Sequence, residues 1–401
     1  MSAPKRIAFD ARYINDQYHG IGRYAFRLLE GMVTAAQEAT FIVFKGRGRD
    51  TRFDWATVEA RPNVEFREGP WPLYWPHEQL IWPSLLRHVR ADIFYSPYFV
   101  APLMSSCPAV ITVHDLIFDR YPDYMPWSWS RPYYRWLMRW GTRRARRIIT
   151  VSLATARELA CYYKVPQNKI AAISEGAATE FRRVTDQNGL QAIRDRYGLE
   201  RPFVLSVGTR RPHKNLARLV TALARTGAYA THDLVFAGPT DSRFPDEARQ
   251  AALALKLDGA VRFLEWVPEA DLPGLYTLAD LFVMPSLVEG FGLPALEAMA
   301  CGTPVVASNI SSLPEVVQNA GVLVDPLDVD ALAAALQALL SDPTKRQRMA
   351  EAGLRRAEAF AWPQVAGQVL QAFDESPTPS QRRIQSPETQ EHSPNPLRVS
   401  S

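Results

Sequence analysis

SLVEGFGLPALEAMACGTPVVAS, residues Ser286–Ser308, sets Glu289 and Glu297 eight positions apart around a glycine-bearing turn. The run 281–284 just before it and the run 304–307 at its end read as short buried strands, and the segment between them reads as a helix. Strand, turn, helix and strand in that order form the unit of a parallel sheet. Gly290-Phe291-Gly292 lets the backbone approach a ligand closely, and the N–H groups opening the next helix can receive a diphosphate or sugar hydroxyls. A carboxylate at each end of that turn suits a neutral, hydroxyl-rich partner. The competing account makes Glu289 and Glu297 surface carboxylates beside an ordinary turn, with Gly292 serving only close packing.

Outward from this unit the same alternation continues. Apolar runs at 203–207, 234–237, 261–264 and 321–324 predict further strands, each followed by a turn and usually a helix. The first half repeats the pattern with 5–9, 40–44, 93–95, 109–113 and 147–151. Between the halves the apolar pattern thins into NGLQAIRDRYGLERP, 188–202, which marks a boundary. We expect an α/β chain of two Rossmann-like, doubly wound domains, 1–195 and 196–358. The tail 376–401 holds five prolines, six serines and three aliphatic residues, too little apolar surface to offset its ordering entropy, so it reads as disordered.

Three further sites stand at predicted strand ends, where ligands of open α/β sheets bind. In SVGTRRPHKNLARL, 206–219, a strand ends at Gly208 and Lys214 follows just before a helix. An ammonium there can neutralise a diphosphate whose charge grows as a sugar departs. His19-Gly20-Ile21-Gly22-Arg23-Tyr24 reads as a glycine turn able to bring N–H groups to a phosphate, with a helix from Tyr24 to Met32. It is not the dinucleotide fingerprint, which needs glycine where Ala25 stands. His114-Asp115 follows the run 109–113, and an imidazole there can donate to a hydroxyl or exchange a proton. The alternative for His114 is a packed, satisfied histidine, with Asp115 orienting it or capping the next turn. Asp328-Val329-Asp330 resembles a metal-binding DxD string, but it opens an alanine-rich helix, so capping by Asp328 is the simpler account.

The Glu289–Glu297 string resembles the E-x7-E segment of the retaining glycosyltransferases of family 4, and the resemblance runs from about Arg6 to Phe373. It implies the two-domain GT-B fold, with the active site in the cleft between domains. By resemblance Glu297 holds the donor ribose hydroxyls, Glu289 contacts the donor sugar, and the Gly290, Phe291, Gly292 and Leu293 backbone lies against sugar and phosphate. Lys214 matches the family's diphosphate lysine, Gly22 its glycine loop, and His114 a catalytic position, so His114, Lys214 and Glu289 are the implied catalytic set. The chain departs from the family at Thr209, where many members carry arginine. Arg210 or Arg211 could substitute, or both could be solvated loop charges. Thr209 and Arg210 join the expected donor contacts. Ser312–Val316 resembles a family segment too, with Glu315 read as capping a helix start. The segment 360–373 with Trp362 resembles the family's terminal helix, implying that 359–375 crosses back to the first domain.

The resemblance implies a hexosyltransferase that takes a nucleotide-diphosphate sugar and a saccharide or lipid-linked acceptor. GIGRY with the VGT form of the phosphate loop looks like the bacterial mannosyltransferases of surface polysaccharides, so the expected donor is GDP-mannose. No cofactor or metal is expected. Alternatives are a UDP-sugar enzyme of the same fold, a phosphorylase or epimerase on that fold, or a noncatalytic nucleotide-sugar-binding protein.

Composition agrees with a globular pair of domains: 401 residues, 47% hydrophobic and 22% charged. A net charge of +4 is too small to indicate a nucleic-acid partner. Three cysteines without metal or disulfide spacing fit a reducing compartment, and the expected location is cytoplasmic. Arg131, Arg135, Arg139, Arg143 and Arg147 recur every four residues, with Tyr133, Trp136, Leu137 and Trp140 expected on another face and YPDYMPWSW just before. Such a helix can lie on anionic lipid at the inner membrane face or receive a pyrophosphate-linked acceptor; alternatively its aromatics are core and its arginines pair with distant acids.

Overall fold

A computed structural model of the chain describes residues 5–16, 19–70, 73, 75, 77–102, 104–125 and 130–375. The expected disordered tail and the Pro126–Trp129 stretch of the aromatic segment lie outside the described residues.

The first sheet has seven strands: β1 (Arg6–Asp10), β2 (Thr40–Lys45), β3 (Val64–Glu68), β4 (Ile93–Ser96), β5 (Ala109–Val113), β6 (Arg147–Thr150) and β7 (Ile170–Ala172). The second has six: β8 (Phe203–Val207), β9 (Asp233–Ala237), β10 (Val261–Leu264), β11 (Leu281–Met284), β12 (Val305–Ser308) and β13 (Val322–Val324). Their orders are β3-β2-β1-β4-β5-β6-β7 and β10-β9-β8-β11-β12-β13, and each pairing is parallel. Each order doubles back beside its first strand, so the switch points lie between β1 and β4 and between β8 and β11, where the sheet leaves a crevice at the strands' carboxyl ends.

The fully buried strands β4, β5, β9, β11 and β12 are the continuous apolar runs, as sheets covered on both faces require. The edge strands β3 and β7 escaped the sequence reading because both are partly exposed, β3 alternating apolar with charged residues and β7 being only three residues long. Separate core clusters cover the outer face of each sheet, while a third runs through both halves and takes in Phe360, Trp362 and Phe373.

The boundary expected at 195/196 falls inside the helix Gln187–Tyr197. That helix packs on the second half, Ile193 lying where a Cβ on Gly274 would stand. The helix Trp362–Asp374 lies on the first half, with Ala366 against Gly31 of the helix His19–Ala35 and Phe373 5.4 Å from Tyr95 between ring centres. The chain therefore returns to its first half.

Candidate active site

Both switch points open on one cleft. At the end of β8 the backbone turns at Gly208, with φ of +136°, and a single 3-10 turn, Pro212–Lys214, leads into the helix Leu216–Thr226. Asn215 holds this entry by donating from its amide to the carbonyls of Pro285 and Pro326, at 2.9 and 2.7 Å. Lys214 is thereby aimed across the cleft mouth, where its Nζ donates to Glu289 Oε1 at 2.6 Å. The pair lines a cavity of about 250 Å³ together with Asp115, Thr209, Arg211 and Gly290.

Arg210 does not reach that cavity, contrary to the sequence expectation. It is 3% exposed, its Nε donates to Asp246 and its Nη2 to Glu265, Nη1 takes the Gly238 carbonyl, and its plane lies 5.0 Å from the Phe263 ring centre. A guanidinium so fully partnered is a structural cross-link of the second sheet. Its neighbour Arg211 faces the cavity instead, tethered through Nε to Asp241 at 2.9 Å. Alternation along the extended backbone sends successive side chains to opposite sides, which spacing alone did not resolve.

After β11, the Ser311 and Ser312 hydroxyls donate to the Glu289 carbonyl at 2.7 and 3.0 Å and fix the turn that presents its carboxylate. Gly290 is obligatory: a Cβ there would stand 2.3 Å from the His114 carbonyl oxygen of the opposite half. Gly292, with φ of +110°, precedes the helix Leu293–Ala300, and a Cβ on it would meet Leu313. Leu293 opens that helix, while the Phe291 side chain is core, 5.8 Å from Phe360 between ring centres.

Glu297 lies outside the cavity. It is 3% exposed and accepts from Arg23 Nη1 at 2.7 Å and from the Tyr276 hydroxyl at 2.9 Å. Burial pushes its pKa up, against the opposing charge of Arg23.

The first half contributes differently from expectation at two places. Gly20 and Gly22 form no loop; the helix starts at His19, and Gly22 packs in its first turn, where a Cβ would touch the Tyr13 carbonyl at 3.0 Å. His114 has neither ring nitrogen free for a sugar, since Nδ1 bonds Glu175 at 3.1 Å and Nε2 bonds the Pro97 carbonyl at 2.9 Å. Both partners are acceptors, so the ring serves as a double donor. Burial alone lowers its pKa, but the Glu175 hydrogen bond and charge outweigh it and the value is raised. Asp115, beside it, is the residue that faces the cavity, while its Oδ1 accepts from the Ile117 N–H at 3.0 Å. Burial raises the Asp115 pKa.

Contacts between the halves close the cleft. Tyr124 accepts from the His213 N–H and bonds His213 Nδ1, both at 3.0 Å. Burial, then the charges of Lys214 and Arg211, lower the His213 pKa to about 2, so its ring is neutral. Glu315 caps a helix start, but one in the other half: its carboxylate accepts from the N–H groups of Leu153 and Ala154, both at 2.7 Å. Asp328 caps its own helix through Ala331 at 2.9 Å. Among the described residues no three metal-ligating side chains come together. The residues to which sequence reasoning gave no role, Arg23 and Tyr124, adjoin one it weighed or stand in a segment it read as acceptor-side, whereas Asp115, weighed as orienting His114 or capping the next turn, does accept from the Ile117 N–H.

The helix Ser130–Arg144 divides its faces differently from expectation. Tyr134, Leu137 and Met138 are buried, but Trp136 and Trp140 are 42% and 39% exposed beside the exposed Arg139, Arg143 and Arg144. Arg135 and Arg147 pair with Asp119 and Glu375. No described helix is long and apolar enough to cross a membrane.

Two family models match the chain, one in each half: Glycosyltransferase Family 4 over residues 18–181 and Glycosyl transferases group 1 over residues 191–356. The O-antigen chain mannosyltransferase B of Escherichia coli is 29% identical over 388 residues, covering 92% of this chain and 99% of that protein. The serotype-specific mannosyltransferase WbdA of Escherichia coli is 31% identical over 238 residues, 57% of this chain but 29% of that longer protein. Among solved structures, Anabaena HepE in complex with UDP and glucose superposes with a TM-score of 0.71 at 21% identity, covering 92% of this chain and 99% of that one.

Proposed function

We propose that this chain, which belongs to the glycosyltransferases of family 4, transfers mannose with retention from GDP-mannose to a saccharide or lipid-linked acceptor of a surface polysaccharide. The observation that carries the reading is the Lys214–Glu289 pair at 2.6 Å in the cleft cavity, at the carboxyl ends of β8 and β11. The pairing of a cation with a carboxylate there suits a diphosphate on one side and sugar hydroxyls on the other. The mannose assignment rests on the relatives named O-antigen and serotype-specific mannosyltransferases.

In this mechanism the bond from the sugar C1 to the β-phosphate oxygen breaks as the acceptor oxygen bonds C1 on the same face. The acceptor proton passes to the departing diphosphate. Lys214, released from Glu289, offsets the negative charge that grows on that diphosphate, and the N–H groups opening the helices after Gly292 and Asn215 add to it. Glu289 then takes the sugar hydroxyls and Glu297 the ribose. His114 acts from behind, its ring held by Glu175 and Pro97 while its carbonyl abuts Gly290. No metal or cofactor enters. The exposed Trp136 and Trp140 among arginines support a contact of this face with anionic lipid on the cytoplasmic side, where a lipid-linked acceptor would be met.

A ligand that binds only the folded state raises its melting midpoint by mass action. GDP and GDP-mannose should raise the midpoint selectively, and Glu297→Ala should abolish the shift. A preference for UDP overturns the mannose assignment but not the family; no shift with GDP, UDP or ADP overturns the donor site. Stronger sedimentation with anionic than with neutral vesicles is expected of the lipid contact, and equal sedimentation refutes it.

A further inference from the structure

The cavity at Lys214 and Glu289 ends short of Glu297, and what fills the gap comes from the other half of the molecule. Arg23, in the first turns of the helix His19–Ala35, reaches across the cleft to Glu297 at 2.7 Å and to Glu269 at 3.2 Å. Arg52, also from the first half, holds the second oxygen of Glu269 at 2.8 Å. Two guanidinium groups of one half thus satisfy two carboxylates of the other. The carboxylate side of this cluster is saturated, with Tyr276 on the remaining Glu297 oxygen. The cationic side is not: Arg23 Nε and Arg52 Nη1 are buried with no hydrogen-bond partner. Buried donors left unpaired cost free energy, which release of these guanidinium groups into solvent relieves.

We propose that Arg23 is a cross-cleft bolt: it occupies Glu297 in the donor-free enzyme, and a nucleoside diphosphate must displace it before its ribose can engage that carboxylate. This rests on the reading of Glu297 as the ribose-holding residue. The consequence is that the donor-free molecule is held shut at the nucleoside end while its sugar-diphosphate end keeps an open cavity. Only the unbolted fraction binds donor, so the apparent affinity is reduced by that fraction. The bolt is ionic and spans the two halves, so its release and the opening of the cleft are one event. Arg23 is a positioning residue in this scheme, since it acts on donor binding through Glu297.

The test is GDP binding to the full chain, by titration calorimetry and stopped-flow, in wild type, Arg23→Ala, Arg23→Lys and Glu297→Gln. Removing the bolt should lower the Kd for GDP on the order of tenfold, chiefly through faster association. Arg23→Lys keeps the charge on a different head group and should fall between. Rising salt screens the attraction of the anionic diphosphate to the cationic cavity in every variant, and should slow association to Arg23→Ala more steeply than to wild type, where weakening of the bolt offsets part of that loss. A residue with a purely packing role would change the melting midpoint without changing the association rate. Unchanged or weaker GDP binding in Arg23→Ala, with wild type binding normally, overturns the bolt and leaves the donor site standing. Should Arg23→Ala fail to fold, association of GDP no faster to Arg23→Lys than to wild type overturns it equally. If wild type binds none of GDP, UDP and ADP, or if Glu297→Gln binds as well as wild type, the reading of Glu297 falls and the bolt with it.

Discussion

Lys214 and Glu289 satisfy one another at 2.6 Å in a half-buried cavity, so either one alone is an uncompensated charge facing the cleft. Replacing either by alanine should lower the transfer rate about 100-fold or more, the loss typical of a missing transition-state electrostatic partner. Steady-state turnover near the wild-type rate in either variant contradicts its assigned role. His114 carries a different signature. Its pKa is raised in the folded chain, with burial working against the Glu175 hydrogen bond and charge that raise it. The stability it contributes is therefore fully present below the ordinary imidazole value of about 6.5 and is lost as the pH climbs through the raised folded value. The melting midpoint should separate wild type from His114→Gln more at pH 6 than at pH 9, and the reverse ordering refutes the double-donor assignment. At this scale the sequence identified the residue types at strand ends but not their neighbours. Arg210 and Arg211 look alike as letters, and only the direction of each side chain decided which one meets the cavity.

The turns are the working elements, because they carry the cleft's two lips. Gly290 brings the second half against the His114 carbonyl, and Thr155 ties the two together by donating to the carbonyls of both His114 and Gly290, at 3.1 and 3.3 Å. A β-branched side chain at Gly290 cannot fit against backbone that has nowhere to move. Gly290→Val should leave GDP binding to the second half within a few-fold of wild type while reducing transfer at least about tenfold, because a displacement of even 1 Å at the reacting centre is costly. A full rate in that variant would show that the two lips need not meet. Helix and strand positions were legible because buried parallel strands are uninterrupted apolar runs. The start of the helix at His19 was not, because two glycines near a helix start read as a turn when the packing that stabilises them is unseen.

At the scale of the molecule, the terminal helix makes the two halves one body. It packs so closely on the first half that a Cβ at Gly31 would stand 2.7 Å from the Ala366 Cβ. Gly31→Leu should lower the unfolding free energy by about 2 kcal/mol through overpacking, seen as a lower midpoint in thermal unfolding; an unchanged midpoint means that this contact does not bear on the fold. The sequence by itself determined two parallel α/β units and the family of the site, since these follow from local periodicity and from short contiguous strings. Only the tertiary structure decided that Glu297 faces Arg23, that Glu315 caps a helix in the opposite half, and that Tyr124 meets His213. Each of those contacts joins residues more than 80 positions apart. No local pattern encodes such pairs, because the chain forms them only once two finished sheets come together across a cleft.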